Sequence, residues 1–447
     1  MAADKMDASA LLGALFDGGV TTPLFQADGG AVHAVFGMVN GRGVYAVCQT
    51  GQAVGPVDIG ITRRVLRMAG ETGCPVVTFY NAPGTRLDTP AKVLSGTRRL
   101  AGAAATLSGV VPQIAVVTGP CGATSALAAA SADLCVMTRD AELFLSPPFL
   151  AAAAGNGKAG AGGAEGAAHA GVASVVAESD AEAVLTVIKL LALLPANNLA
   201  ETATFEFETP ATAFSLAPYT GRGAIEALAD ADSAVELFAG FGGGVTTALA
   251  TVAGSVVGIT ATNGPETYLG RLCAARAARF ARLCDSYSIP LVTVINTGGF
   301  VLSSQSDEDG AIRQAARLAA TYADATCAKV AVLAGRTFGP VYSALANADL
   351  TIALEGSVTA PVEPSAAVTV LYRDEIAASD KPIEAETAAR AAQYEAEQAS
   401  ATALLNAGLA NFAVAPAALR GCVATALDIL ATKRAQRLPK KHGNMPL

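Results

Sequence analysis

The stretch Gly254–Phe300 reads GSVVGITATNGPETYLGRLCAARAARFARLCDSYSIPLVTVINTGGF, and it decides the fold. Val256–Thr260 is rich in β-branched residues, and Leu291–Ile295 is an uninterrupted apolar run, as in a strand buried on both faces. Between them, apolar residues recur at helical spacing over Leu272–Tyr287. The stretch therefore predicts a strand, a helix and a second strand, followed by a glycine-rich loop at Thr297–Phe300.

The first half of the chain repeats this order of elements. Three pairs of segments match: Ala34–Val47 with Thr247–Ile259, Cys74-Pro75 with Ile289-Pro290, and Asp133-Leu134 with Asp349-Leu350. The last two pairs are separated by 215 and 216 residues. Because this period is far too long for a solenoid, the sequence predicts a duplicated domain with a core in each copy.

Composition shifts suggest where the copies begin and end. We expect one domain over residues 1–195 and a second over 196–447. Ala151–Ala173 is a low-complexity Ala/Gly segment, which predicts a solvated, flexible linker without chemistry. Pro382–Asn406 predicts one long helix with an acidic start. The basic tail Lys433–Leu447 is either a solvated end or a contact for another subunit or a phosphate.

Charge and cysteine usage exclude several classes of function. The 447 residues carry a net charge of −8, which argues against nucleic acid as a partner. None of the eight cysteines forms a CxxC pair, so we expect reduced core thiols in a cytoplasmic protein. The opening residues MAADKMDASA lack a signal pattern, and no apolar run approaches the roughly 20 residues that span a bilayer.

The sequence contains few side chains that could act as catalysts, so the candidate catalytic groups belong to the backbone. His33, His169 and His442 are scattered, and this argues against a histidine base or a metal site. The recurrent feature is a loop that enters a helix after a buried strand, at Gly119–Thr124 and at Arg336–Val341. Backbone N–H groups at such a place can hold an oxyanion. One such loop is more often an ordinary turn, but two at matching places favour paired oxyanion sites.

Several segments together carry a family resemblance. They are Thr72–Val77, Ser108–Ile114, Gly119–Cys121, Ala277–Asp285, Ile289–Thr293 and Lys440–Leu447. Jointly they resemble the carboxyltransferase (β) subunit of biotin-dependent acyl-CoA carboxylases of the propionyl-CoA carboxylase type. The α subunit of methylmalonyl-CoA decarboxylase belongs to the same group. The resemblance implies an α/β fold of two tandem crotonase-like β-β-α superhelix domains.

The resemblance also implies the site residues. The acyl-CoA oxyanion site falls in the N-terminal copy at Gly122, Ala123 and Thr124. The biotin site falls in the C-terminal copy at Gly339 and Val341, which flank Pro340, a residue without an N–H. Substrate contacts are implied for Arg63, Arg64, Arg86, Gly299 and Ser343. The structural alternatives are a surface or interdomain salt bridge for Arg86 and a solvated helix face for the other two arginines.

The chain departs from the family pattern at several of these places. Ala123-Thr124 stands where the family has Gly-Gly, and Gly339-Pro340-Val341 stands where it has Gly-Gly-Ala. Ser343 replaces an acidic residue that helps to select the acyl chain. Asn296 replaces the Asp of the family's Asp-Val-Pro-Gly-Phe loop. These departures bear on the substrate and on activity itself.

Three functions follow from the resemblance. The first is transfer of a carboxyl group between carboxybiotin and a short acyl-CoA of the propionyl or methylmalonyl type, through an enolate stabilised by backbone amides. Its partners are a biotin carboxyl carrier protein and a biotin carboxylase subunit, within a dimer-based homo-oligomer of up to six copies. The second is the α subunit of a sodium-pumping decarboxylase, with a membrane decarboxylase subunit as partner. The third is a non-catalytic scaffold paralogue, which Pro340 favours.

Overall fold

The computed structural model describes residues 5–25, 30–157, 160–435 and 437–444. The chain divides into two compact units. The first comprises Met1–Ala203 and Leu237–Phe241, and the second comprises Thr204–Glu236 and Gly242–Leu447. The boundary therefore follows Ala203, later than the predicted position at residue 195, and a short segment beyond it also belongs to the first unit.

The first unit alternates strands and helices. Its strands are β1 (Thr21–Leu24), β2 (Val32–Val39), β3 (Arg42–Gln49), β4 (Val76–Ala82), β5 (Gln113–Gly122), β6 (Leu134–Thr138), β7 (Glu142–Phe144) and β8 (Val175–Ala177). Its helices are α1 (Ala8–Leu15), α2 (Pro56–Thr72), α3 (Pro90–Leu107), α4 (Thr124–Ala130), α5 (Pro148–Ala153), α6 (Ala164–His169) and α7 (Asp180–Leu193).

The strands of the first unit form a mixed sheet in the order β1-β2-β3-β4-β5-β6-β8, with β7 beside the end of β5. β2 and β3 form an antiparallel hairpin around Asn40 and Gly41, whose positive φ angles of 49° and 72° suit a tight hairpin turn. From β3 to β8 the neighbouring strands are parallel. Their apolar runs are continuous because helices cover both faces of such a sheet.

The second unit has the same alternation. Its strands are β9 (Val235–Leu237), β10 (Val245–Val252), β11 (Ser255–Thr262), β12 (Gly264–Leu269), β13 (Leu291–Ile295), β14 (Thr297–Phe300), β15 (Lys329–Leu333), β16 (Arg336–Phe338), β17 (Leu350–Leu354), β18 (Val358–Ala360) and β19 (Phe412–Val414). Its helices are α8 (Gly221–Leu228), α9 (Arg271–Ser286), α10 (Ser304–Glu308), α11 (Ala311–Asp324), α12 (Pro340–Leu345), α13 (Pro364–Leu371), α14 (Arg373–Ala377), α15 (Ile383–Tyr394), α16 (Ala401–Asn406) and α17 (Leu419–Leu430).

The two sheets share one topology, as the sequence repeat predicts. In the second unit the order is β19-β17-β15-β13-β11-β10-β9, with an antiparallel β10–β11 hairpin followed by parallel neighbours. Val47 lies opposite Thr78 in the first sheet, and Thr260 lies opposite Thr293 in the second. Two small parallel pairs, β12–β14 and β16–β18, stand apart from the main sheet.

Four segments differ from their predicted local structure. The loop expected at Thr297–Phe300 is strand β14, and β5 continues through Gly119–Gly122, because both segments find parallel partner strands. Arg336–Phe338 is likewise strand β16 rather than loop. The single helix expected over Pro382–Asn406 is divided into α15 and α16 by a π-helical turn at Glu395–Ala399.

The Ala/Gly segment is not the linker that its composition predicts. It contains the second half of α5 and all of α6, and it lies within the first unit. Ala164, Ala167 and Ala173 are buried in a core cluster with Cys121 and Met137. Small side chains allow close approach of backbones at these three alanines, whereas residues 152–157 of the segment are exposed.

The basic tail is tied to its own unit. Lys433 Nζ lies 2.7 Å from an oxygen of Asp349 and 2.8 Å from the Cys327 carbonyl oxygen. Arg437 and Lys440 both reach the Asp324 carboxylate, at 3.1 Å and 2.7 Å. These cations therefore bind carboxylates of the second unit. The end of the tail, Met445–Leu447, lies outside the described residues.

No helix in the described part of the chain is both long enough and apolar enough to cross a membrane. All eight cysteines are free, and Cys74 and Cys422 are half-buried whereas the other six are buried. Burial raises the pKa of the Cys48 thiol to about 12. Buried thiols of this kind behave as small apolar side chains.

Candidate active site

The strand-to-helix junction of the first unit is built around Ala123. This residue links β5 to α4 with φ 51° and ψ −116°, which is unusual for a residue with a Cβ. Its N–H donates to the Phe144 carbonyl at 2.9 Å, because β7 runs beside the end of β5. A Cβ on Gly122 would lie 2.6 Å from the Phe144 ring and 3.2 Å from the Pro83 carbonyl oxygen. The junction is thus held closely by two neighbouring segments.

The second unit builds the same junction at Gly339. Gly339 links β16 to α12 with φ 46° and ψ −115°, and its N–H donates to the Ala360 carbonyl at 3.0 Å. A Cβ at this position would lie 2.5 Å from the Pro361 carbonyl oxygen. Glycine is therefore required here both by the backbone conformation and by space.

These hydrogen bonds change the assignment of the predicted oxyanion donors. The N–H groups of Ala123 and Gly339 are already used within the fold, so neither is a donor to a ligand in this conformation. The first N–H groups of any helix have no acceptor within it. In the first unit these are the amides of Thr124 and Ser125. In the second unit Pro340 has none, and Val341 provides the first.

The loop that carries Arg86 lies at the entrance to helix α2. Val54 N–H donates to the Gly84 carbonyl, and Arg86 N–H donates to the Val54 carbonyl, both at 3.0 Å. The Arg86 side chain is bound to Asp88, with Nε 3.2 Å from the carboxylate, and this partner raises the pKa of the Arg86 guanidinium. The predicted surface salt bridge is therefore present. The Arg86 guanidinium remains exposed to solvent within this pair.

Helix α2 starts and ends at defined residues. Asp58, in its first turn, accepts hydrogen bonds from Gly55 N–H at 2.8 Å and from Ala31 N–H at 2.9 Å. Pro56 occupies the first helical position, where the missing N–H costs nothing. Gly73 ends the helix in the left-handed conformation with φ 68°. These contacts fix both ends of the helix that carries Arg63 and Arg64.

A basic cleft lies between α2 and α3. One part, of about 430 Å³, is lined by Arg63, Lys92 and Arg99, and an adjoining part of about 580 Å³ adds Arg64 and Arg67. We call these five residues the basic cleft. Their charges converge from two helices, so the cleft suits a ligand with several negative charges.

Two of the five cations are engaged within the first unit, while the other three face the cleft without an ion-pair partner among the described residues. Arg67 pairs with Glu71 at 3.3 Å, and Arg64 lies 5.5 Å from the centre of the Phe25 ring. Across the described residues, no carboxylate lies within ion-pair distance of Arg63, Lys92 or Arg99. Lys92 and Arg99 were not predicted from the sequence. Because they are seven residues apart, they lie on one face of a helix, and this spacing is the sequence signal that could have identified them.

The remaining predicted residues surround the second junction. Gly299 lies in β14 with φ 126°, and its N–H donates to Thr297 Oγ1 at 3.3 Å. β14 packs beside β16 and α12. Ser343 is on the exposed side of α12, with its N–H donating to the Gly339 carbonyl at 3.3 Å. The second unit therefore brings Gly299, Gly339, Val341 and Ser343 into one neighbourhood.

Comparison with known proteins decides the family. The carboxyl transferase domain model matches residues 22–445. The chain belongs to the carboxyl transferase family. It is therefore an enzyme of the carboxyltransferase class, as the resemblance predicts.

Relatives of this carboxyl transferase cover nearly its whole length. It is 33% identical to the methylmalonyl-CoA carboxyltransferase 12S subunit of Propionibacterium freudenreichii subsp. shermanii, over 95% of this chain and 86% of that protein. It is 28% identical to the methylmalonyl-CoA decarboxylase subunit alpha of Veillonella parvula, over 94% of this chain and 86% of that protein.

A solved structure agrees with the sequence relatives. The crystal structure of transcarboxylase 12S, a hexamer with methylmalonyl-coenzyme A bound, superposes with a TM-score of 0.92 at 29% identity. The match covers 99% of this carboxyl transferase and 92% of that chain. The crotonase-like fold predicted from the resemblance is thereby confirmed.

Proposed function

We propose that this chain is the carboxyltransferase component of a biotin-dependent system and moves a carboxyl group between biotin and a short acyl-CoA of the methylmalonyl or propionyl type. Membership of the carboxyl transferase family supports the reaction class. The observation that carries the substrate class is the basic cleft, which lies in the same unit as the first junction. Coenzyme A bears three phosphate groups, and the five cations of the cleft offer the charge to bind them.

The first unit takes the acyl-CoA in this proposal. The Thr124 and Ser125 amides donate to the thioester oxygen, where negative charge grows as the bond to the carboxyl group breaks. Only interactions that strengthen in that charged state raise the rate. Because the junction is fixed by the bond from Ala123 to Phe144, the donors need no rearrangement during the reaction.

The second unit takes the biotin of a carrier partner in this proposal. A ureido oxygen needs hydrogen-bond donors, and the first turn of α12 offers the Val341 amide, so the residues present fit that group with one donor fewer than in the first unit. Biotin, when bound, supplies the nitrogen that carries the carboxyl group. The protein's own contribution is to hold that oxygen and to position the group through Gly299 and Ser343.

The wider setting follows the same proposal. We place the chain in the cytoplasm, in a dimer-based homo-oligomer, with a biotin carrier and a biotin carboxylase as partners. The transcarboxylase 12S structure is described as a hexamer. One relative is a methylmalonyl-CoA decarboxylase subunit alpha, so a membrane decarboxylase subunit is the alternative partner.

Carboxyl transfer from methylmalonyl-CoA to free biotin tests the proposal on the purified full chain. In this step the bond between the acyl carbon and the carboxyl carbon breaks, and a bond forms between the carboxyl carbon and the biotin nitrogen. The proton of that nitrogen moves to the acyl carbon. We expect propionyl-CoA to appear only when both reactants are present. If a folded oligomer consumes no methylmalonyl-CoA under these conditions, the proposal fails and the scaffold role is favoured.

A further inference from the structure

Two asparagines occupy the same place in the two units. Asn81 lies near the end of β4, and Asn296 directly follows β13, the matching strand. Asn81 N–H donates to Gln49 Oε1 at 3.0 Å, and Asn296 N–H donates to Thr262 Oγ1 at 2.7 Å. Their carbonyls accept from Gly51 N–H at 2.9 Å and from Gly264 N–H at 3.0 Å. The backbone is therefore held in the same way in both copies.

The two side chains, by contrast, have different surroundings. Asn296 Oδ1 accepts a hydrogen bond from Arg336 N–H at 3.1 Å, which fixes the start of β16. Arg336 lies three residues before Gly339, and the residue three before Ala123 is Pro120. Proline has no N–H. The first unit thus lacks the donor that holds the second asparagine.

The Asn81 carboxamide consequently has spare hydrogen-bonding capacity. It lies over Gly119, where a Cβ would come within 2.2 Å of Asn81 Oδ1, and it is half-buried. Among the described residues its side chain has no hydrogen-bond partner. A half-buried amide with two donors and a free oxygen is well suited to bind a ligand.

The position of Asn81 relates it to the first junction. The β4–β5 register is irregular between Tyr80 and Ala82, so the strand is distorted at Asn81. Ala82 then pairs with Cys121, two residues before Ala123. Such irregularities often redirect a side chain beside an active site. Ligands of parallel sheets bind beyond the carboxyl ends of the strands, where Asn81 lies.

We propose that Asn81 is a substrate-binding residue whose Nδ2–H donates to an oxygen of the acyl group, whereas its counterpart Asn296 is a purely structural support. This inference rests on the proposed function, since it takes acyl-CoA as the ligand of the first unit. A neutral amide donates without competing for a proton, so its contribution is independent of pH over the working range. The acyl oxygens, and not the phosphates of coenzyme A, are its partners.

Binding of methylmalonyl-CoA and of coenzyme A alone, measured by calorimetry on the full chain, tests this assignment. Asn81→Asp keeps the size of the side chain but exchanges the donor for a negative charge, and Asn81→Ala removes the donor. We expect both variants to bind methylmalonyl-CoA about tenfold or more weakly, with coenzyme A affinity unchanged. Asn296→Asp retains the oxygen that accepts from Arg336 and serves as the matched isosteric control for methylmalonyl-CoA binding.

The outcomes separate the two proposals. Equal affinity of wild type and both Asn81 variants for methylmalonyl-CoA overturns the assignment. Weakening of both ligands together, with a lowered melting temperature, also overturns it, because Asn81 is then a structural support like Asn296. A wild-type chain that binds neither ligand rejects the proposed function first, and the role of Asn81 with it.

Discussion

Ala123 and Gly339, 216 residues apart, adopt the same rare backbone conformation, and each donates its N–H to a carbonyl of the neighbouring short strand. One position carries a Cβ and the other does not. Both copies thus preserve a sharp turn between strand and helix, although the residues around it have diverged. The turn is what sets the direction of the amides that follow it.

The two positions should respond in opposite ways to exchange of their residues. Ala123→Gly relieves backbone strain of about 1–3 kcal/mol, offset by about 0.5–1 kcal/mol of unfolded-state entropy, so the free energy of unfolding should stay equal or rise. Gly339→Ala should lower it by about 1–3 kcal/mol or more, since the new Cβ also meets the Pro361 carbonyl at 2.5 Å. Denaturant unfolding of both variants measures this, and similar shifts for the two would contradict it.

The sequence predicts most of the regular elements because their signals are local. The apolar run Leu291–Ile295 is observed with the same bounds as a strand, and α9 begins and ends within one residue of the helical spacing over Leu272–Tyr287. The repeat of strand, helix and strand predicts the duplicated sheet for the same reason. Each of these features depends on residues that are close in the chain.

What the sequence does not predict depends on tertiary partners. Gly119–Gly122 has the composition of a loop, but pairing with β4 and β7 makes it a strand. The alanines of α6 are buried only because other segments approach them. Lys92 and Arg99 join the arginines of α2 through the packing of α3, which no pattern within either helix reveals.

The basic cleft makes a prediction about coenzyme A. Arg99→Ala should weaken coenzyme A binding about tenfold, because charge-assisted hydrogen bonds contribute roughly 1.5–3 kcal/mol each. Raising the salt concentration should weaken wild-type binding as well. Arg98→Ala is the matched control, since Arg98 does not line the cleft. Calorimetry measures the affinity of each variant for coenzyme A. Equal effects of the two variants would mean that the phosphates of coenzyme A bind outside the basic cleft.

The ion pairs of the tail make a prediction about local stability. Asp324→Asn removes the partner shared by Arg437 and Lys440, so amide hydrogens of residues 433–444 should exchange faster while the sheet is unaffected. Mass spectrometry of hydrogen exchange at neutral pH measures this. Asp307→Asn, on α10, is the control and should change nothing in the tail.

The pH dependence of the same contact follows from the direction of the shift. The hydrogen bond from Lys440, together with the charges of Arg437 and Lys440, lowers the pKa of Asp324 below its ordinary 3.8. A lowered pKa means that the stabilisation is fully present above pH 3.8 and is lost as the pH falls through the folded-state value. The protection of the tail amides against hydrogen exchange should therefore be constant between pH 6 and 8. Loss of protection within that range would contradict the role of Asp324.

Pro340 allows the amide mechanism itself to be tested by exchange between the two copies. Thr124 occupies the matching position in the first unit, so Pro340→Thr introduces an N–H into a turn whose geometry is already set by Gly339. A single oxyanion donor can change a rate by about 10²–10³-fold, and we expect at least a tenfold faster transfer to free biotin.

The reverse exchange, Ala123→Gly with Thr124→Pro, recreates Gly339-Pro340 in the first unit and should slow consumption of methylmalonyl-CoA by a similar factor. Rates measured by chromatography of the CoA esters, with melting temperatures as the control for folding, decide the matter. If neither exchange alters the rate in folded protein, the amides that follow the two turns do not hold the reacting oxygens, and transition-state stabilisation must come from side chains instead.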